Sequence, residues 1–196
     1  MKLTKILLEY PGAFTPRPKE EWDKNQEEIK KRKEEEDKKR DPNYIIEQYI
    51  ENGSVGGLEI NGDYHDVEML TSLPDNFTVR GDFVLSGCWH LAGLPKNLTV
   101  EGSFYMFDCW IKYLPDDLKV QFNIICYRCP LVDLPDNFTV EYQLELLHTK
   151  VSEIPYNLTI GTNLIIDHTP LIENYTAQEI KKMIEDRGGT VGEIWF

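Results

Sequence analysis

Pro95-Lys96-Asn97-Leu98-Thr99-Val100-Glu101-Gly102-Ser103-Phe104-Tyr105-Met106-Phe107-Asp108-Cys109-Trp110-Ile111-Lys112-Tyr113-Leu114-Pro115 runs from one Leu-Pro dipeptide to the next. The same dipeptide stands at Leu73-Pro74, Leu94-Pro95, Leu114-Pro115 and Leu134-Pro135, and returns as Ile154-Pro155. The spacings are 21, 20, 20 and 20 residues. A period of this length marks a solenoid: one unit cannot bury its own apolar face, so units stack to share a core.

Counting from each proline aligns the units. Three residues on stand Phe77, Leu98, Leu118, Phe138 and Leu158, and five on Val79, Val100, Val120, Val140 and Ile160. Nine on come Phe83, Phe104, Ile124, Leu144 and Leu164; eleven on come Leu85, Met106, Cys126, Leu146 and Ile166. Fourteen on come Cys88, Cys109, Cys129, Thr149 and Thr169. Sixteen on come Ile111, Leu131, Val151 and Leu171, with Leu91 displaced by one extra residue in the first unit. Apolar residues at nine and eleven alternate as in a short strand with both side chains inward. Equivalent strands then run parallel, because the chain returns to the same place each turn.

The strand segment fits the pattern L-x-L-x-x-N/C-x-L at Phe104–Ile111 and again at Leu144–Val151. On these residues, residues 58–172 resemble a leucine-rich repeat, especially the short Leu-Pro-containing repeats of bacterial or phage-type proteins. The resemblance implies a curved α/β solenoid with a parallel sheet on its concave side and helical caps at both ends. The departure is Cys or Thr where Asn is commonest; both retain the ability to bond to the turn backbone. A small parallel β-helix is the alternative, because the Phe77/Val79 column is able to form a second strand.

Around the repeats the sequence divides into residues 1–40, an N-terminal strand (2–9) and a charged helical arm; residues 41–57, a capping helix; and residues 173–196, a C-terminal helix and strand. Pro11-Gly12 breaks the first strand, and Pro16 and Pro18 precede the arm. The arm carries Glu27–Lys31, Glu28–Arg32, Glu34–Lys38, Glu35–Lys39 and Glu36–Arg40 at helical i,i+4 spacing. Its large apolar residues, Trp22 and Ile29, are too few for a coiled-coil seam. Asp41-Pro42 is a helix start, Ile45, Ile46, Tyr49 and Ile50 give the following helix an apolar face, and Gly53 ends it. A degenerate strand, Leu58-Glu59-Ile60, precedes a loop with His65. Thr176 and Glu179 have capping-box spacing before Ile180, Met183 and Ile184. Gly188-Gly189 ends that helix, and Thr190–Phe196 reads as a last strand.

The 196 residues are 41% hydrophobic and contain no apolar run near 18 residues, so no membrane span is expected. Residues 1–9 lack the apolar region and cleavage site of a signal peptide. Asn-x-Thr triplets begin at Asn76, Asn97, Asn137, Asn157 and Asn174. Four of them are the repeat's turn, so they read as structure and not as glycosylation sites. The four cysteines fill repeat columns, which suits buried reduced thiols and a cytoplasmic setting, the host cytoplasm if the protein is phage-encoded. A zinc site from Cys126, Cys129, His148 and His168 is not expected, because Cys126 belongs to an inward column and the histidines point outward. No metal or other cofactor is expected.

Net charge is −13. Residues 17–40 are near neutral, whereas residues 41–196 hold nine Lys/Arg against 24 Asp/Glu, a balance of −15. Such a body repels nucleic acid, so no direct nucleic-acid binding is expected. There is no phosphate-loop, H-E-x-x-H or G-x-S-x-G motif, and no enzyme is expected. Effectors with similar repeats can carry a separate catalytic domain, but no stretch of that size follows the last repeat in this sequence.

The outward strand positions carry the functional reading. Ten after the proline lie Val84, Tyr105, Ile125, Glu145 and Ile165; twelve after lie Ser86, Phe107, Tyr127, Leu147 and Asp167. A solvated strand face is normally polar, whereas this one gathers an apolar patch, the mark of a binding surface. Trp89 and Trp110 extend it, and the column Asp108, Arg128, His148 and His168 rims it. A non-enzymatic protein-interaction module follows, with a protein partner on the sheet and Asp108, Arg128, Glu145 and His148 setting orientation. Cover of the patch by the chain's own arm or cap helix is a competing expectation. So is a homo-oligomer assembled through the same face. An acidic inhibitor of a nucleic-acid enzyme, of the phage counter-defence kind, is a further alternative, with Asp116, Asp117, Asp133, Asp136, Glu153 and Glu173 as its phosphate-mimicking acids.

Overall fold

A computed structural model describes residues 19–52, 57–60 and 70–196, apart from the side chains of Glu21 and Trp22. The expected strand at residues 2–9, its Pro11-Gly12 break, Pro16, Pro18, Gly53 and His65 lie outside the described residues. The chain forms two units, Met1–Tyr44 and Ile45–Phe196.

In the first unit, helix α1 (Lys19–Lys38) is the charged arm. Glu27–Lys31 (3.0 Å) and Glu35–Lys39 (3.3 Å) pair as the spacing predicts. Arg32 turns to Glu36 (3.8 Å) instead of Glu28, and Lys30 pairs with Glu34 (3.7 Å). All these pairs are exposed, and each contributes only a few tenths of a kcal/mol (about 0.3–0.5). Helix α2 (Pro42–Glu51) begins in this unit. The carboxylate of Asp41 accepts a bond from the Asn43 amide (2.8 Å), the N-cap contact expected of Asp-Pro.

In the second unit, Ile46 of α2 is fully buried, whereas Ile50 is exposed, so the apolar face of α2 is narrower than its sequence suggests. The strands follow in chain order: β1 (Leu58–Ile60), β2 (Phe77–Val79), β3 (Phe83–Ser86), β4 (Thr99–Val100), β5 (Phe104–Phe107), β6 (Lys119–Val120), β7 (Ile124–Tyr127), β8 (Thr139–Val140), β9 (Leu144–Leu147), β10 (Thr159–Ile160) and β11 (Asn163–Asp167). Helix α3 (Pro170–Asn174), helix α4 (Ala177–Asp186) and strand β12 (Glu193–Trp195) complete the unit.

Each coil thus contributes two strands. One set forms a six-stranded parallel sheet, in the order β3-β5-β7-β9-β11-β12. The other forms a second parallel sheet, β1-β2-β4-β6, continued by the pair β8-β10. The expected parallel sheet is present. The second strand column makes the fold a parallel β-solenoid of about five turns, the geometry of the small β-helix alternative. In place of a helical or irregular outer side, the Phe77/Val79 column pairs across coils, because its β-branched Val and Thr residues suit a pleated ladder.

The core between the sheets is the set of inward columns. Phe77, Phe83, Phe104, Met106, Ile124 and Leu144 are completely buried. Phe83 and Phe104, one coil apart, stack with centroids 5.2 Å apart and planes 9° from parallel. Side-chain ladders satisfy the bends. Asp82 Oδ1 accepts from the Ser103 amide (2.7 Å), and Asn123 Oδ1 accepts from the Gln143 amide (3.1 Å). Glycine is required at Gly161, where a Cβ would lie 1.9 Å from the Glu141 carbonyl oxygen.

The Asn-x-Thr triplets mark a second ladder. Asn76, Asn97, Asn137 and Asn157 all have positive φ, between 54° and 60°, a conformation asparagine tolerates. Asn97 Nδ2 donates to Asn76 Oδ1 (2.9 Å), and Asn157 Nδ2 donates to Asn137 Oδ1 (2.8 Å). The third coil has Asp117 in that place. Its φ is not positive, its Oδ1 is buried without a partner, and among the described residues the second sheet is interrupted between β6 and β8. The main sheet is continuous across the same coils.

At the C-terminal end Thr176 Oγ1 accepts from the Glu179 amide (3.3 Å), and Glu179 Oε2 accepts from the Thr176 amide (2.8 Å), completing the capping box. Ile180 and Ile184 are buried and Met183 is half-buried. Gly188 takes positive φ (81°) beyond the helix. The last strand is shorter than the sequence suggests and pairs in parallel with β11. Among the described residues no helix is long and apolar enough to cross a membrane.

Candidate functional surface

The main sheet has an outer face built by alternation. Along β5, β7 and β9 buried and half-buried residues alternate, so Phe104, Met106, Ile124, Cys126, Leu144 and Leu146 point in. The intervening residues form two in-register rows across the strands. One row is Val84–Tyr105–Ile125–Glu145–Ile165, and pairing of Ile165 with Trp195 on β12 extends it. The other is Ser86–Phe107–Tyr127–Leu147–Asp167. Val84, Tyr105, Phe107, Ile125, Tyr127, Leu147 and Ile165 are all half-buried, and Trp195 is 55% exposed. Tyr105 and Phe107 pack on each other at 5.9 Å. The outer rows thus bring together the apolar residues singled out from the sequence.

The rim is more engaged than the sequence suggests. Glu145 Oε1 accepts a bond from Gln143 Nε2, so this carboxylate already has an intramolecular partner. Asp108 and Arg128 do meet across neighbouring coils, at a loose 4.0 Å. The Arg128 guanidinium lies over the Tyr127 ring at 4.9 Å. His148 meets the edge of Tyr127 at 5.6 Å and stacks on His168 at 4.1 Å. His168 Nδ1 lies 2.9 Å from Asp167 Oδ1. Asp108, Arg128, His148 and His168 all have φ between 49° and 53°, and Gly87 holds the same place in the first coil. This column is therefore a left-handed turn at the end of each main-sheet strand. Gly87, Asp108, His148 and His168 are residue types enriched in such a turn, and Arg128 is the exception.

One residue further in, the column Cys88, Cys109, Cys129, Thr149 and Thr169 is buried. The thiols bond back into the turn: Cys129 Sγ lies 3.4 Å from the Met106 carbonyl oxygen and 3.5 Å from that of Tyr127, and Cys88 Sγ lies 3.7 Å from that of Ser86. Cys109 and Cys129 sulfurs are 3.1 Å apart. The hydrogen bond to Cys109, then desolvation, raises the Cys129 thiol pKa far above its ordinary value; desolvation does the same for Cys126. The threonines differ. Thr149 Oγ1 and Thr169 Oγ1 are buried without partners, so the expected bond to the turn backbone is not made there.

The next column turns out again: Trp89, Trp110, Pro130 and Lys150. Trp89 and Trp110 are 56% and 59% exposed and meet edge to face at 6.4 Å. They wall two open grooves, of about 500 and 480 Å³, that share Trp89, Trp110 and Lys112. Sequence reasoning includes the tryptophans but misses Lys112 and Lys150. Aligning the fifteenth column would have shown Lys150 in line with the indoles. A second exposed aromatic contact, Phe122–Tyr142 at 5.5 Å, lies on the bend after β6 and β8 and is also absent from the sequence reading.

No protein-family model, no curated protein and no solved structure matches this chain.

Proposed function

We propose that this chain is a non-enzymatic binding protein that seats a protein partner on the outer face of its main sheet. The observation that carries this reading is the pair of in-register rows, with Tyr105 beside Ile125, Phe107 beside Tyr127, and Tyr127 beside Leu147. Strands about 4.8 Å apart make these side chains one surface. Burying its aromatic members against a partner would supply the affinity. The leucine-rich-repeat resemblance supports a binding role in general terms, but the second strand column favours the β-helix geometry. The buried thiols suit a reducing, cytoplasmic setting.

The acidic-inhibitor reading has less support. A phosphate mimic needs free carboxylates along the Leu-Pro edge, yet Asp136 Oδ1 accepts from the Tyr156 amide at 2.8 Å. In the same column, Asp75 of the first coil accepts from the Lys96 amide at 2.9 Å. At least part of that edge therefore serves the coil-to-coil ladder.

The same apolar face also fits a second copy of the chain. Light scattering across a wide concentration range separates the two. The partner reading predicts a monomer for both the whole chain and the Tyr105→Asp/Tyr127→Asp variant. A wild-type oligomer that the variant dissolves would assign the face to self-association instead.

A further inference from the structure

Residues 41–196 carry nine Lys/Arg against 24 acids. Three of those nine cations, Lys112, Arg128 and Lys150, line a single groove beside Trp89, Trp110 and His148. Among the described residues no Asp or Glu lines it. In so acidic a body, a groove lined by three cations and by no acid favours an anion. Lys112 and Lys150 have no ion-pair partner among the described residues. Arg128 has only the 4.0 Å contact to Asp108, which leaves its guanidinium available, and the Tyr127 ring fixes its position. The other wall is aromatic: two indoles, each more than half exposed, in an environment where an apolar ring would normally be covered.

Cations beside a flat apolar wall recognise a ligand that is both planar and anionic. The indoles supply a stacking surface for a ring, and the cations supply charge-assisted bonds to phosphate oxygens. The basic residues stand on successive coils and in different columns, seventeen, thirteen and fifteen after their prolines, so their charges are spread along the groove. Such spread charge suits two linked phosphoryl groups better than one isolated charge. The groove's roughly 500 Å³ lies within the usual size of small-molecule sites.

We propose that this groove binds a small nucleoside phosphate of the diphosphate class, with its base against Trp110 and Trp89 and its phosphates on Lys112, Arg128 and Lys150. The net −15 of the surrounding body disfavours a long nucleic-acid strand, whose further phosphates would meet acids. This site lies at the turn edge and does not depend on the sheet-face docking reading.

The test is isothermal calorimetry of the whole chain at low ionic strength, using ADP, adenosine and inorganic phosphate as separate probes. ADP is expected to bind at one site per chain, with adenosine and phosphate each weaker by at least about tenfold. Trp110→Ala and, separately, Lys112→Glu/Lys150→Glu should each weaken ADP by about tenfold or more. These side chains are exposed, and circular dichroism confirms that the variants fold. Tyr105→Asp, which strikes the docking face, should leave ADP affinity unchanged, so failure of one proposal is distinguishable from failure of the other. No ADP heat, ADP binding unchanged in both groove variants, or phosphate or adenosine binding as tightly as ADP would each overturn the assignment.

Discussion

Asp117 and Thr149 show how one atom decides whether a stacked coil is satisfied. At Asp117 a carboxylate replaces the amide that, in Asn97 and Asn157, donates to the preceding rung. An ionised carboxylate has no donor, so the rung is lost and Oδ1 is left buried and unpaired. Replacing Asp117 by Asn should restore a rung and stabilise the fold by about 1 kcal/mol, the net value of one hydrogen bond; urea denaturation measures it. At Thr149 the buried hydroxyl has no acceptor. Thr149→Val should stabilise by about 1 kcal/mol by removing an unsatisfied donor, and an equal loss would show that the hydroxyl is bonded in solution. The thiols of Cys126 and Cys129 give a third residue-scale prediction. Their raised pKa values hold them protonated near neutrality, and the thiolate is the reactive form. Both should resist alkylation in the native protein and react on unfolding, which mass spectrometry reads directly. Rapid native labelling of either would contradict the described burial.

At the scale of elements, what the sequence made legible was whatever repeats every 20 residues with apolar side chains. The ninth and eleventh columns predict the main-sheet strands, and the third and fifth predict the second strand of the alternative fold. Alternation is a direct consequence of strand geometry and needs no tertiary knowledge. The left-handed turn at Arg128 was not legible, because its conformation is imposed by neighbouring coils and not by residue type. The cation-lined groove was legible only in part: Lys150 shares the column of the indoles, whereas Lys112 and Arg128 belong to other columns, and coiling brings them beside it. The capping box at Thr176 and Glu179 is local and was fully readable. Bonds from the Thr176 amide and then from its hydroxyl depress the Glu179 pKa. Because the folded value lies below the unfolded one, the contribution is complete above the unfolded pKa. It is lost as pH falls through the folded value. Glu179→Gln should therefore remove that acid-side dependence, so that wild type and variant converge in stability on acidification. Curves that stay parallel throughout the acid range would refute the cap's role.

For the whole molecule, two sheets and an inward column at every strand position give each coil a buried apolar set that only its neighbours can complete. The second sheet's seam between β6 and β8 leaves the main sheet uninterrupted. Its outer face is thus a continuous strip from Val84 to Trp195. An apolar row at the outer positions of a parallel sheet does nothing for the core, and this is why the strip carries the functional account. The direct test is a quantitative pull-down from lysate of the source cells, comparing the wild type with a folded Tyr105→Asp/Tyr127→Asp variant. The account predicts that a specific protein held by the wild type is lost from the variant, its affinity falling by at least about 30-fold as expected for hot-spot aromatics. The same protein retained at equal abundance by both would contradict it.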